Sequence, residues 1–273
     1  MESPSLISTH ELADRMGDEQ IRIVDLRWSL EDEERGLCDY RASHIPGAVY
    51  LHWLRDLSDP DDPVEGQIAP PDRFSAVMSS VGIGNSTLVV AYDDSEILMA
   101  SRLYWALAYY GHGAVRVLDG GWQKWCREGR PTSSAIPTIT EAEFVATPRD
   151  SLRLTKSDVM GSLELGTAIL DCRMDETWFE SGEHIPGARR FPAPQLLNAT
   201  GTYIPDDDVL RRAHDLGLSK DDEVILYCGG GVSASAAFRA LHSAGYTNVS
   251  VYDGSWAEWG DDAEAPREPH DVR

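Results

Sequence analysis

Basic charge is what this chain has least of. Against 46 Asp and Glu stand only 24 Lys and Arg, a formal net charge of -22 over 273 residues. Nucleic-acid binding rests on neutralising phosphates with cations, and anionic membrane surfaces demand the same, so neither partner is expected. Cysteine is also scarce: Cys38, Cys126, Cys172 and Cys228 form no CxxC pair and no Cys/His spacing suited to zinc. Neither a disulfide framework nor a structural metal is therefore expected, and reduced thiols fit a cytoplasmic setting. No apolar run approaches the ~18 residues of a membrane span, and the opening MESPSLISTHELADRMGDEQ is acidic where a secretory signal is basic and then apolar. What is present is a 42% hydrophobic content. That is enough for two cores of about 130 residues each.

The chain is written twice. IRIVDLRWSL (21–30) pairs with AILDCRMDET (168–177), sharing an apolar run, Asp, any residue, Arg. SHIPGAVYLHW (43–53) pairs with EHIPGARRFPA (183–193), and the segment 88–125 pairs with 224–259 in the same order. Two copies at a spacing near ~140 residues mean duplicated domains, since solenoid units run about 20 to 50 residues. Within each half, short Val/Ile/Leu runs alternate with helical spacing such as SRLYWALAYYG and ASAAFRALHSAG. That alternation predicts an α/β fold, twice: a mostly parallel sheet flanked by helices. Gly111 and Gly245 follow the last periodic residues and are placed to cap those helices. The Pro/Ser/Thr-rich stretch between the halves predicts a first domain over 1–132, a linker over 133–141 and a second domain over 142–273. DDAEAPREPHDVR (261–273) reads as a solvated tail.

Most repeated blocks read as architecture. In HIPGA, Pro fixes φ, Gly permits the turn and His bonds the loop. The Asp and Arg of DLR and DCR read as a structural ion pair more readily than as a substrate contact, and DGGW and DGSW read as turns that start a helix. Cys38, Cys126 and Cys172 read as small buried apolar residues.

Cys228 differs. It follows the apolar run VILY, which puts it at the carboxyl end of a strand, the edge where parallel α/β folds bind ligands. Gly229, Gly230 and Gly231 come next, and their missing side chains let backbone amides turn toward one point. A helix beginning near Val232 or Ser233 would aim its positive end at the sulfur, favouring thiolate and leaving room for an anion. A thiolate in such a cradle attacks either phosphorus or sulfur. Phosphoryl transfer needs an arginine clamp after five intervening residues, where Ala234 stands, so a cysteine phosphatase or arsenate reductase is disfavoured. The six-residue loop from Cys228 to Ser233 suits a single extra sulfur atom. At the same place in the first half stands Asp93.

These features together resemble a tandem-domain rhodanese, a sulfurtransferase of the thiosulfate/3-mercaptopyruvate group. The resemblance implies a double displacement: Cys228 takes a sulfane sulfur from a small donor, holds it as a persulfide on the loop amides of Gly229 to Ser233, and passes it to cyanide, a thiol or a thioredoxin-like protein. No cofactor beyond the covalent persulfide is implied. The uncharged loop is similar to the mercaptopyruvate-type CGSGVT, with Gly230 where that loop has its relay serine. By the same comparison Asp56 matches the relay aspartate and Gln67 falls at the relay histidine. Thr177 stands at the first donor-binding arginine, and WFESGE shortens the stretch holding the second. Arg173, Arg189 and Arg190 are the candidates to replace them. A sulfur-binding or regulatory module without turnover is the alternative.

Overall fold

A computed structural model describes residues 5–94 and 98–270. Each half builds a five-stranded parallel sheet. The first contains β1 (Leu6–Ile7), β2 (Ile21–Asp25), β3 (Val49–Tyr50), β4 (Leu88–Tyr92) and β5 (Val115–Leu118), in the order β1-β5-β4-β2-β3. The second contains β6 (Arg153–Leu154), β7 (Ala168–Asp171), β9 (Arg189–Arg190), β10 (Val224–Tyr227) and β11 (Val249–Tyr252), ordered β6-β11-β10-β7-β9. The two orders correspond strand for strand, as the repeated blocks require. The central strands β4 and β10 are almost wholly buried, which is why LVVAY and VILY read as continuous apolar runs and not as alternating ones.

The remaining strands, β8 (Glu183–His184) and β12 (Glu268–Pro269), form a small antiparallel pair. This corrects the solvated-tail reading for residues up to 270. Ala265 is buried, the Trp259 indole donates to Pro266 O at 2.9 Å, and the His270 amide donates to Gly182 O at 2.9 Å. The segment is polar in composition, but it finds a strand edge to cover. The last three residues of that stretch lie outside the described residues.

The two halves do not keep wholly separate cores. One apolar cluster runs from Val24 and Leu57 in the first half to Leu226 and Phe238 in the second, and each half adds a smaller cluster of its own on the far face of its sheet. The helices Met99–Tyr109 and Val232–Ser243 cause this. Each is apolar nearly all round, with ten and nine buried residues, so each must be covered on its outer side as well as by its own sheet. They cover one another. Both end as the glycines suggest, with φ +83° at Gly111 and +96° at Gly245.

The connecting segment is extended. Ser133 bridges to His44, and further along Ala142, Phe144 and Ala146 donate backbone amides to Ser79 O, Ser79 Oγ and Ser75 Oγ of the first half. HIPGA does the turning expected of it. Gly47 and Gly187 have φ of +80° and +72°, and His44 Nδ1 bonds Tyr40 O at 2.7 Å.

Candidate active site

The strand β10 delivers Cys228 to the carboxyl edge of the second sheet, and the helix Val232–Ser243 begins four residues later. Gly231 is the residue before that helix, at φ +81°. A Cβ there would lie 2.8 Å from Arg102 Nη1 and 3.0 Å from Asp253 Oδ1, so both conformation and space demand glycine. Gly229 and Gly230 are different. A Cβ on either would meet nothing within 4 Å, which leaves open space beside the loop.

The Cys228 side chain is 2% exposed. Burial pushes its thiol upward, while the backbone amides of Gly230, Gly231, Ser233 and Ala234 pull it back down. Burial is the larger effect, so the sequence expectation of a favoured thiolate is corrected: the cradle forms, but it only partly offsets the cost of burying a charge. The same amides would stabilise an anionic sulfur placed further into the loop.

The backbone of the loop is pinned from the DGSW motif. Trp256 N donates to Cys228 O and Ala257 N to Gly229 O, both at 2.9 Å. Ser255 takes φ +52°, a left-handed conformation uncommon for serine. Its hydroxyl offsets that strain by accepting from Cys228 N at 3.1 Å and donating to Tyr252 O at 2.9 Å. The first half repeats the arrangement around Asp93. Trp122 N donates to Asp93 O at 2.8 Å, and the Asp93 carboxylate accepts from Ala100 N at 2.7 Å in the first turn of the helix Met99–Tyr109. Ser95, Glu96 and Ile97 of that loop lie outside the described residues.

Beneath the loop is an ion network that the motif analysis did not identify. Arg102, from the first half, pairs with Asp253 at 2.8 Å, both fully buried, and donates to Gly66 O at 2.7 Å. Asp253 Oδ2 also accepts from Ile68 N at 2.9 Å and from Arg153 Nε at 3.1 Å. The network binds segment 66–68 of the first half against the Cys228 loop of the second. Asp253 is the aspartate of DGSW, read from sequence only as part of a turn. The signal that marked it was its repetition; its partners come from distant positions that no spacing connects.

The other candidates divide. Gln67 is brought to this network: its Oε1 accepts from Arg153 at 3.2 Å, and its buried Nε2 has no hydrogen-bond partner among the described residues. Its neighbour Gly66 lies against the loop, where a Cβ would stand 3.7 Å from Gly230 O. Asp56 instead accepts the His52 amide at 2.7 Å, closing the one-turn helix Trp53–Asp56. Arg173 is not available to a substrate. Its Nε and Nη2 hold Asp171 in a buried pair at 2.7 Å, Nη1 donates to Ser181 Oγ at 2.8 Å, and the guanidinium lies over Trp256 at 4.5 Å. The structural reading of DCR therefore applies, as it does to Asp25 and Arg27 at 2.6 Å. Arg189 donates to Leu216 O, away from the loop. Arg190 donates to Arg173 O at 2.7 Å and pairs with Asp175, resting over Trp178 at 4.6 Å. The helix Asp175–Ser181 fills the shortened stretch, and Thr177 Oγ1 caps back to Met174 O at 3.1 Å. Among the cysteines, Cys172 is buried as expected, but Cys38 and Cys126 are exposed, on the outward faces of two surface helices.

Among the described residues no group of three or more His, Cys, Asp and Glu is placed to hold a metal, and no helix is long and apolar enough to cross a membrane.

The family model for the rhodanese-like domain matches twice, over residues 8–128 and 155–262. The 3-mercaptopyruvate sulfurtransferase of Escherichia coli K12 is 32% identical, with 94% of this chain and 95% of that protein covered. The sulfur carrier protein TtuD of Thermus thermophilus is 31% identical over 93% of each. The crystal structure of the 3-mercaptopyruvate sulfotransferase SseA from Escherichia coli superposes with a TM-score of 0.83 at 29% identity, covering 92% of this chain and 98% of that one. The two halves, each with its parallel sheet, its HIPGA turn and its loop at the strand end, thus belong to the rhodanese family.

Proposed function

We propose that this chain is a sulfurtransferase that carries a sulfane sulfur on Cys228. The observation that carries the reading is a buried cysteine at a strand end, beside open space and directly before a helix start, with the backbone amides of Gly230, Gly231, Ser233 and Ala234 drawing its thiol pKa down against burial. The Cys228 sulfur attacks the outer sulfur of thiosulfate, breaking its S–S bond, or the thiol sulfur of 3-mercaptopyruvate, breaking its C–S bond. A sulfur–sulfur bond forms as the donor leaves as sulfite or pyruvate, and the amides hold the resulting persulfide anion as an oxyanion hole holds oxygen. A thiol, cyanide or a thioredoxin-like protein then removes the outer sulfur. The covalent persulfide serves in place of a cofactor, and a reduced, cytoplasmic environment would keep Cys228 competent.

A second reading has its own support. Gly230 carries no hydroxyl, the Asp56 carboxylate is spent on the His52 amide, and Gln67 does not titrate, so these three positions form no side-chain relay to assist donor turnover. A chain of this kind would act as a sulfur carrier, filled and emptied by other proteins, and one relative bears that name. Steady-state assays with each donor, using cyanide and a dithiol as acceptors, decide between them. Many turnovers per chain support the enzyme; a single sulfur per chain, without further turnover, supports the carrier.

A further inference from the structure

We propose that Cys172 is a second working thiol, which resolves the Cys228 persulfide into a Cys172–Cys228 disulfide and releases the outer sulfur as hydrogen sulfide. The inference rests on the reading that Cys228 takes up sulfur, and adds a chemical exit that needs no bound acceptor.

The juxtaposition follows from strand register. β7 and β10 are parallel neighbours with Asp171 opposite Tyr227, and the ladder runs one bond further, Cys172 N donating to Tyr227 O at 2.8 Å. The next opposed residues are Cys172 and Cys228. Adjacent strands lie about 4.8 Å apart, inside the ~4.4–6.8 Å between Cα atoms that a disulfide spans. The side chains also share a face. Leu170, Cys172, Leu226 and Cys228 fall in one apolar cluster, whereas Ile169, Ile225 and Tyr227 fall in the cluster behind the sheet. Both cysteines are buried, at 0% and 2% exposure, and the Cys172 thiol is raised by burial first and then by the charge of Cys228. The first half supplies an internal comparison. There Leu26 N donates to Tyr92 O at 2.9 Å, so the opposed pair is Leu26 and Asp93. The half without the loop cysteine also lacks its neighbour.

The step balances. Cys172 attacks the inner sulfur of the persulfide, the bond between the two cysteine sulfurs forms, and the bond to the outer sulfur breaks. The outer sulfur leaves as sulfide with the proton of Cys172. It gains two electrons, and the two cysteines are oxidised to a disulfide. A dithiol reductant then returns both thiols. A buried thiol held in its protonated form is a slow nucleophile, so an arriving acceptor acts first and internal release follows when none arrives. The neutral disulfide removes the buried charge that the persulfide anion carries.

The experiment uses the whole chain, reduced and freed of reductant. It is loaded with thiosulfate or with 3-mercaptopyruvate, separated from donor, and kept without acceptor. Sulfide is trapped and counted, and the peptides are mapped under non-reducing conditions after thiol alkylation. Wild type should release close to one sulfide per chain as a peptide linking Cys172 to Cys228 accumulates. Cys172→Ser and Cys172→Ala should keep the sulfur on Cys228 at least about tenfold longer. A wild type that holds its persulfide as long as both variants, or that loses sulfide without the linked peptide, would overturn the inference. Mapping the wild-type link needs neither variant to fold. Absence of any sulfur on Cys228 with either donor would overturn the sulfur-transfer reading and this inference with it.

Discussion

The three glycines after Cys228 look equivalent in sequence, and the structure separates them. Gly231 sits at φ +81° with Arg102 and Asp253 where a Cβ would go, so Gly231→Ala should cost about 2–4 kcal/mol and lower the urea midpoint. Gly230→Ser places its side chain in open space, so stability should change by no more than about 0.5 kcal/mol in the same measurement. Ser255→Ala removes both hydroxyl bonds while leaving the left-handed φ in place, with an expected loss of about 1–3 kcal/mol and slower sulfur uptake at Cys228. Sequence alone placed Cys228 between a buried strand and a helix start because that signal is local: apolar strand, cysteine, glycines, helix. It did not tell Arg173 as a ligand from Arg173 as a strut, because that depends on Ser181 and Trp256, which no spacing reveals.

At the scale of elements, the repeats predicted the strands well, since a buried parallel strand writes itself as a short apolar run. The shared core was harder to anticipate. Helical periodicity in SRLYWALAYYG and ASAAFRALHSAG marks helices, but only their lack of a polar face shows that each needs cover on two sides. The ion network between segment 66–68 and the loop was legible only in part, as a repeated Asp of unknown partner. Arg102 crosses from the helix Met99–Tyr109 to Asp253, and removing one member of such a buried pair leaves the other uncompensated. Arg102→Met should therefore destabilise by about 3–5 kcal/mol in denaturant unfolding and should lower sulfur uptake while Cys228 is intact.

For the whole molecule, buried histidines set the acid limit of stability. Burial lowers the pKa of His52 and His112, both almost wholly enclosed, below the ordinary 6.5. A group depressed on folding stabilises the protein above its unfolded pKa and loses that contribution as pH falls through the folded one. Thermal unfolding followed against pH should show Tm declining below about pH 6.5, with proton uptake on unfolding. A Tm that rose over that interval would contradict the burial of these rings. The acidic composition gave no view of how the two halves join, since that interface is made by two largely apolar helices together with the buried Arg102–Asp253 pair. The most direct test is the mass of the Cys228 peptide after brief exposure to donor. One added sulfur on Cys228, absent from Cys228→Ser, is the predicted result; unchanged mass, or full transfer activity in Cys228→Ser, would contradict the account.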